Sequence, residues 1–200
     1  RELHTLTGHT DYVIKCAFSP DGQWIVSVSD DATLRVWETA SGCELYYKSY
    51  VNACAFSPDG QWIVSARRDK ILKVWDAASG HELHTLTGHT DWVKDCAFSP
   101  DGQWIVSASN DETLKKWDVA SGRELHTLTG HTDWVLACAF SPDGQRIVSA
   151  SDDTTLRVWE TASGRELHNL RGHTNIPRAY AFSPDGLWIV SGSMDNSFKI

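Results

Sequence analysis

The sequence has few of the features that would assign it to a common functional class. No run of apolar residues is long enough to cross a membrane as a helix. Lys and Arg number 18 against 26 Asp and Glu, and the formal net charge of -8 argues against nucleic acid or an anionic membrane as the main partner. The single methionine is Met194 and the chain begins at Arg1, so we expect a piece or processed product of a longer protein. No signal peptide opens the chain, and we expect a cytoplasmic location.

Cysteine is scarce, and its spacing shows no pairing. The five cysteines are an odd number, which argues against a disulfide framework. There is no CxxC or CxxH spacing for zinc, and no P-loop, GxGxxG, HExxH or EF-hand pattern, so we expect neither a metal nor a cofactor. Four cysteines share the context CAFSPDG within an apolar run, and we interpret them as small buried side chains. They are Cys16, Cys54, Cys96 and Cys138.

The dominant feature that is present is an internal repeat. AFSPDG occurs five times and ELHTLTGHTD three times. The units run over residues 1–42, 43–80, 81–122, 123–164 and 165–200, with the last truncated. In the first unit, segments typical of strands lie at 2–7, 12–19, 23–29 and 33–37, separated by turn residues such as Pro-Asp-Gly. No window shows useful helical periodicity, so the repeat predicts an all-β array.

The period, the Gly-His pair and a Trp followed by Asp or Glu resemble the WD-repeat (tryptophan–aspartate repeat) family, with near-identical repeats of bacterial type. The resemblance covers the whole chain and implies a β-propeller, in which four-stranded antiparallel blades surround a central channel. It predicts one domain over residues 1–200 with five blades. Pairing of the N-terminal strand 2–7 with the C-terminal strand ending at Ile200 would close the ring and remove exposed sheet edges. Two alternatives stay open: a fragment of a longer array, and a chain that completes itself by association as an oligomer.

The resemblance assigns a structural role to the histidine that follows each Gly. It implies a buried hydrogen-bonded set in each blade, the brace, made of that His, a strand Ser, a turn Asp and the Trp. The complete sets are His9, Ser27, Asp31 and Trp37; His89, Ser107, Asp111 and Trp117; and His131, Ser149, Asp153 and Trp159. The second unit has Ser65, Asp69 and Trp75 without a His, and the fifth has His173, Ser191 and Asp195 without a Trp. We therefore expect the second blade to be the weak one, with an unbraced Asp69.

Ser, His and Asp are also the residues of a hydrolase triad, which offers an enzymatic alternative. A nucleophile is needed only once and requires a pocket and an oxyanion site. Here the set recurs in every unit, as a structural brace would. We therefore predict that the protein is not an enzyme.

Differences among the five units indicate where a partner binds. The SPDG and ASG turns, which fall on one face of a four-stranded meander, are nearly uniform. The opposite face, formed by the Gly-His loops and the Asp turns and called the varied face below, differs between units and is where the family most often binds partners. Aromatic side chains beside charged ones are typical of binding hot spots. The predicted partner-binding residues are Tyr12, Ile14, Asp30, Tyr50, Asn52, Arg68, Trp92, Lys94, Asn110, Trp134, Leu136, Asp152, Ile176, Arg178 and Met194.

These observations predict a non-catalytic scaffold or recognition module for a protein or peptide partner, similar to the repeat modules of large signalling proteins. The first alternative is a lectin-like propeller that binds glycans or other small ligands, because Trp and Tyr at equivalent positions suit sugar stacking. That alternative predicts equivalent pockets, whereas the polar residues beside the aromatic ones differ from unit to unit. The second alternative is a fragment or engineered repeat product without a partner of its own.

Overall fold

The computed structural model describes residues 3–200, and over that range it consists of β-strands and turns. Nineteen strands form five antiparallel sheets, four of them with four strands and the fifth with three. In each four-stranded sheet, three strands of one sequence unit are joined by the first strand of the next unit. The prediction of an all-β propeller built from five blades is therefore confirmed, and each blade is offset from the sequence unit by one strand.

The strands follow one another in sequence order within each blade. The first blade comprises β1 (Val13–Phe18), β2 (Trp24–Ser29), β3 (Thr33–Glu38) and β4 (Glu44–Ser49). The second comprises β5 (Val51–Phe56), β6 (Trp62–Arg67), β7 (Ile71–Asp76) and β8 (Glu82–Thr87). The third comprises β9 (Val93–Phe98), β10 (Trp104–Ser109), β11 (Leu114–Asp118) and β12 (Glu124–Leu128). The fourth comprises β13 (Val135–Phe140), β14 (Arg146–Ser151), β15 (Leu156–Glu160) and β16 (Glu166–Leu170), and the fifth β17 (Pro177–Phe182), β18 (Ile189–Ser193) and β19 (Phe198–Lys199).

The SPDG turn shows why the first two strands of each blade form a hairpin. Ser19 Oγ donates to Asp21 Oδ1 at 2.6 Å and accepts from the backbone N–H of Trp24 at 2.9 Å. Gly22 has φ of 71°, a left-handed conformation that glycine adopts without strain. The same serine-to-aspartate bond recurs in the other four blades at 2.5–2.6 Å. The hairpin is therefore determined by local turn chemistry.

The hydrophobic core lies between neighbouring blades. Between the first and second blades, Val26 and Leu34 pack against Val51, Ile63 and Trp75, and none of these side chains is more than 6% exposed. Equivalent clusters join the second blade to the third, the third to the fourth and the fourth to the fifth. Each blade is thus stabilised by burying apolar area on its neighbours, as in other repeat architectures.

One ion pair joins innermost strands that are two blades apart. Lys15 Nζ on β1 lies 2.9 Å from Asp95 Oδ1 on β9, and the other oxygen of Asp95 accepts the backbone N–H of Cys138 at 3.1 Å. The equivalent positions in the second, fourth and fifth blades are alanines. This pair therefore links three blades on the channel side.

The expected closure of the ring is not confirmed. Residues 3–7 form no strand, and the described strands of the fifth blade end with β19; the first residue of the predicted strand, Glu2, lies outside the described residues. The innermost strand of the first blade is uncovered, with Val13 55% exposed. The predicted burial of Cys16 is wrong, because its side chain is exposed on the side of β1 against which no blade of residues 3–200 packs. The other three cysteines of the repeated position, Cys54, Cys96 and Cys138, are buried.

Candidate functional site

The brace residues meet in each blade that contains them. In the third blade, His89 Nδ1 lies 2.8 Å from Asp111 Oδ2, and its Nε2 lies 2.8 Å from Ser107 Oγ. Trp117 Nε1 donates to the same serine oxygen at 2.9 Å, and the backbone N–H of Thr90 donates to the carboxylate at 2.9 Å. In the first, fourth and fifth blades, the corresponding His–Asp and His–Ser distances are 2.7–3.1 Å.

The carboxylates of the brace are held in the ionised form. Burial alone would raise the pKa of Asp111, but hydrogen bonds from His89 and Thr113 outweigh it and hold the pKa well below its usual range. The carboxyls at the same position of the other Gly-His blades also have a lowered pKa, namely Asp31, Asp153 and Asp195. A charged carboxylate surrounded by donors stabilises the loop it caps.

The serine of the brace is poorly placed for nucleophilic chemistry. Ser107 is 0% exposed, and its hydroxyl oxygen contacts both an imidazole and an indole N–H. The equivalent serines of the other blades are at most 7% exposed: Ser27, Ser65, Ser149 and Ser191. This geometry supports a structural role for the repeated set, because a substrate would have to displace the core to reach the oxygen.

In the second blade an arginine takes the place of the missing histidine. Arg67 Nε and Nη2 donate to the carboxylate of Asp69 at 2.7–3.1 Å, and Nη1 donates to the carbonyl oxygen of Ser49 at 2.9 Å. Trp75 Nε1 still donates to Ser65 Oγ at 2.9 Å. The expectation of an unbraced Asp69 is therefore wrong. The sequence does distinguish this arginine, since the other units have Ser at the position of Arg67.

The variable positions of each blade lie side by side on the varied face. The backbone N–H of Asn110 donates to the carbonyl of Trp92 at 2.9 Å, and that of Asp152 to the carbonyl of Trp134 at 2.9 Å. The same bond joins Asp30 to Tyr12, Arg68 to Tyr50 and Met194 to Ile176. Trp92 and Trp134 are 43% and 48% exposed, and Tyr12, Ile14, Tyr50 and Met194 are each more than half exposed.

Polar residues beside these aromatic side chains are held in place across blade boundaries. Arg68 Nε donates to Asn52 Oδ1 at 2.9 Å, and Asn52 Nδ2 donates to the carbonyl of Val93 on the next blade at 2.9 Å. The Arg68 guanidinium also lies 5.7 Å from the centre of the Trp92 ring, within reach of a cation–π interaction. The second and third blades therefore present one preorganised aromatic and cationic surface.

Charges from all five blades converge on Lys94. Burial lowers the pKa of Lys94, the positive charges of Arg68 and Arg178 lower it further, and Asp152 and Asp30 oppose them. Each of these residues belongs to a different blade. The structure thus brings these predicted partner-binding residues within electrostatic reach of one another. Three cations and two anions therefore influence one another on the varied face, although the whole chain carries a net charge of -8.

Two acceptor atoms on the varied face lack hydrogen bonds within residues 3–200. They are Asn110 Oδ1, on a side chain that is 8% exposed overall, and Asp152 Oδ1. The pKa of Asp152 is raised, first by burial and then by the negative charge of Asp133. Buried acceptors without donors are uncommon in folded proteins. Of the remaining predicted residues, Leu136 and Ile176 are half-buried and Asp30 and Arg178 are exposed.

Residues 3–200 show neither a metal-binding cluster nor a membrane-spanning helix. That range contains no group of three or more His, Cys, Asp or Glu side chains arranged to hold a metal ion. It also contains no helix long and apolar enough to cross a membrane.

The blades and their repeated brace define a β-propeller built from one repeated unit. The profile of the family described as WD domain, G-beta repeat matches residues 1–38, 43–76, 80–118, 122–160 and 164–200. The chain therefore belongs to the WD-repeat family, as the sequence predicted. Proteins of this family generally act as non-enzymatic scaffolds that mediate protein interactions.

Curated relatives match the chain over about one repeat each. An uncharacterized WD repeat-containing protein of Synechocystis sp. is 63% identical over 41 residues, which is 20% of this chain and 12% of the relative. The vegetative incompatibility protein HET-E-1 of Podospora anserina is 55% identical over 38 residues, 19% of this chain and 3% of the relative. The nuclear distribution protein PAC1-2 of Uncinocarpus reesii is 50% identical over 42 residues, 21% of this chain and 9% of the relative. The matches thus span at most 12% of these relatives.

Proposed function

We propose that the chain is a non-catalytic recognition module that binds a protein or peptide partner through the varied face. The observation that carries this proposal is the pairing of exposed aromatic side chains with charged neighbours that change from blade to blade. Trp92 and Trp134 are 43% and 48% exposed. Half-exposed aromatic side chains bury much area on binding and lose little conformational entropy. The cytoplasmic location and the single domain stay predictions.

The charged and aromatic side chains of the varied face support a partner with both polar and apolar groups. Arg68, Lys94 and Arg178 are suited to an acidic side chain, and their mutual repulsion is relieved when an anion binds. A peptide segment presents acidic and apolar groups together, which favours a protein partner over a purely apolar ligand.

The test is a paired capture experiment from the source lysate. One bait is the intact chain, and the other carries Trp92→Ala and Trp134→Ala. A matched control carries Leu83→Ala and Leu125→Ala, since these side chains are 43% and 42% exposed but lie on the outermost strands. We expect a partner that the intact chain and the leucine control retain and the tryptophan variant loses. Circular dichroism establishes that the three baits fold alike.

Two outcomes contradict the proposal. If the tryptophan and leucine variants retain the partner equally, the binding surface lies elsewhere. If the leucine control loses the partner and the tryptophan variant keeps it, binding occurs at the outer rim of the blades.

A second candidate function has one observation in its favour, a repeated cleft between blades on the face formed by the SPDG and ASG turns. A cleft of about 520 Å³ contains Trp62 and Asp101, and the next cleft, of about 690 Å³, contains Trp104 and Asp143 at equivalent positions. A Trp beside a carboxylate suits a sugar ring. The Lys116 ammonium lies 4.3 Å from the centre of the Trp104 ring and occupies one of its faces.

A glycan array distinguishes this second function from the first. Binding that Trp62→Ala and Trp104→Ala remove, with more than one equivalent site per chain, would support the lectin-like propeller. Loss of the same binding in the Trp92→Ala and Trp134→Ala variant would instead assign it to the varied face.

A further inference from the structure

One half-buried lysine of the varied face lacks the kind of partner that comparable lysines have. The ammonium of Lys94 on β9 has no hydrogen bond or ion pair within residues 3–200. Lys73 and Lys115 each pair with a glutamate. Lys48 and Lys116 each donate to a backbone carbonyl oxygen. The Lys94 ammonium is thus partly withdrawn from water without an acceptor from the described chain, which is an unfavourable state for a charged group.

The two arginines whose charges act on Lys94 are held by neutral groups. Arg68 Nε donates to Asn52 Oδ1 at 2.9 Å, and Arg178 Nε lies 3.3 Å from Met194 Sδ. Neither guanidinium forms an ion pair with a carboxylate of the described chain. Contact therefore fixes the position of these side chains without neutralising their charge.

The propeller fold does not require these cations. The position of Lys94 holds Ile14 in the first blade and Leu136 in the fourth. The position of Arg68 likewise differs in every other unit. Blades with apolar or uncharged residues at these positions have the same strands and the same inter-blade packing. A role outside the stability of the blade is thus left for the cluster.

We propose that Lys94 binds one carboxylate of an acidic peptide segment, flanked by Arg68 and Arg178; this inference rests on the recognition function proposed above. The bound carboxylate would accept from the ammonium and reduce the repulsion among the three cations, which now lowers the pKa of Lys94. Lys94 would then determine the preference of the varied face for an acidic side chain, while Trp92 and Trp134 supply apolar contact.

The charge balance around Lys94 favours a carboxylate over a phosphoryl group. Arg68, Lys94 and Arg178 face Asp30 and Asp152, which leaves one positive charge in excess. A phosphoryl group carries about two negative charges at neutral pH, and a carboxylate carries one. The negative charge of Asp133 also acts on Asp152, so a second negative charge on the ligand would meet repulsion from that side.

The test compares three pools of fluorescent hexapeptides by anisotropy. One central position is Glu, Gln or phosphoserine, and the other positions are random mixtures of Ala, Leu, Phe, Ser and Gly. We expect the intact chain to bind the Glu pool about tenfold more tightly than the Gln pool, as for a hydrogen bond to a charged group, and no less tightly than the phosphoserine pool. Added salt should reduce the Glu preference.

Two variants assign the preference to Lys94. Lys94→Gln should reduce the ratio of Glu to Gln binding to less than about threefold, because only the two flanking arginines remain. Arg123→Gln is the matched control, since it removes the same charge at an exposed position beside an ASG turn on the opposite face, and it should keep the full ratio. Circular dichroism establishes that both variants fold as the intact chain does.

Lysine acylation provides a second, local measurement. An amine-reactive ester should modify Lys94 more slowly in the presence of the Glu pool than of the Gln pool, as peptide mapping reads out. Lys199 is exposed and is not among the groups that act on Lys94, so its rate should be the same with both pools and serves as the internal reference.

Three results would overturn the inference. The first is the absence of a difference between the Glu and Gln pools, including binding of neither. The second is a Glu preference that Lys94→Gln retains in full. The third is tighter binding of the phosphoserine pool than of the Glu pool, which would assign the cluster to a doubly charged group. The proposed function fails separately: a lysate partner that only the Trp92→Ala and Trp134→Ala variant loses would uphold it under any of these results.

Discussion

Replacing one buried serine by alanine tests the brace with a control inside the same chain. Ser107 and Ser65 are equivalent, both are 0% exposed, and each hydroxyl oxygen lies 3.4 Å from a backbone carbonyl oxygen. Each also accepts an indole N–H at 2.9 Å, from Trp117 and Trp75 respectively. Only Ser107 has a further contact, with Nε2 of His89 at 2.8 Å. The two substitutions therefore differ by one hydrogen bond.

The expected magnitudes follow from the number of buried groups left without a partner. Ser107→Ala leaves His89 Nε2 and Trp117 Nε1 unsatisfied, whereas Ser65→Ala leaves only the indole of Trp75. A buried unsatisfied polar group costs about 1–3 kcal/mol. We therefore expect Ser107→Ala to lower the free energy of unfolding by about 2–6 kcal/mol and Ser65→Ala by about 1–3 kcal/mol. The packing change is nearly equal, because both substitutions remove one oxygen at a fully buried site.

The assay is urea and thermal unfolding, followed by tryptophan fluorescence and circular dichroism. For a chain of this size, each kcal/mol corresponds to about 2–4 °C in Tm. Repeat proteins can unfold in parts, so the comparison requires both variants to retain the denaturant slope of the intact chain. Equal losses for the two serines, or a larger loss for Ser65→Ala, would refute the contribution of the histidine bond.

Three further predictions concern acid stability, the second blade and the thiols. The pKa of Asp111 is lower in the folded chain than in the unfolded chain, so its contribution to stability is complete above the unfolded pKa of about 3.9 and is lost as pH falls through the folded pKa. The urea concentration at the unfolding midpoint should therefore decrease in acid. Asp111→Asn should make that midpoint depend less on pH. Arg67→Ala should destabilise the chain by less than Ser107→Ala, because Asp69 is 39% exposed and its charge is screened by water. Chemical denaturation measures both variants, and an equal loss of unfolding free energy would contradict this expectation. A thiol reagent should label two cysteines of the dilute, folded chain quickly and the other three only after unfolding. Peptide mapping identifies the labelled cysteines, and a fast reaction at a buried cysteine would show that the blades open. The fast pair is Cys16 and Cys43, and the slow set is Cys54, Cys96 and Cys138, where burial raises the pKa of Cys54 to about 12.

Local elements were predictable because their causes are local. The first-unit segments predicted at 12–19, 23–29 and 33–37 correspond to β1, β2 and β3, with ends that differ by at most one residue. The SPDG turn needs only a serine, an aspartate and a glycine that are close in sequence. Recurrence in five units made the pattern unambiguous, and the comparison among units singled out the variable positions.

Contacts between distant residues were harder to predict. Arg67 takes the role of a histidine that lies at a different position of the repeat in the other blades. Its guanidinium group donates to both Asp69 and the carbonyl oxygen of Ser49. Sequence comparison detected the missing His but not its replacement, because the rotamer of an arginine depends on the surrounding packing. The Lys15–Asp95 pair, which spans two blades, was missed for the same reason.

The sequence by itself determined the blade: its hairpins, its buried brace, and the WD-repeat family to which the chain belongs. All of these depend on residues within one period, and the period repeats. Only the tertiary structure decided how the blades end. In the folded chain, Val13 and Cys16 of the first blade and Phe198 of the fifth are exposed, although the same positions are buried in the second, third and fourth blades. The reason is physical: the burial of a repeated face depends on whether another blade lies against it, and identical residues acquire different environments at the two ends of an array.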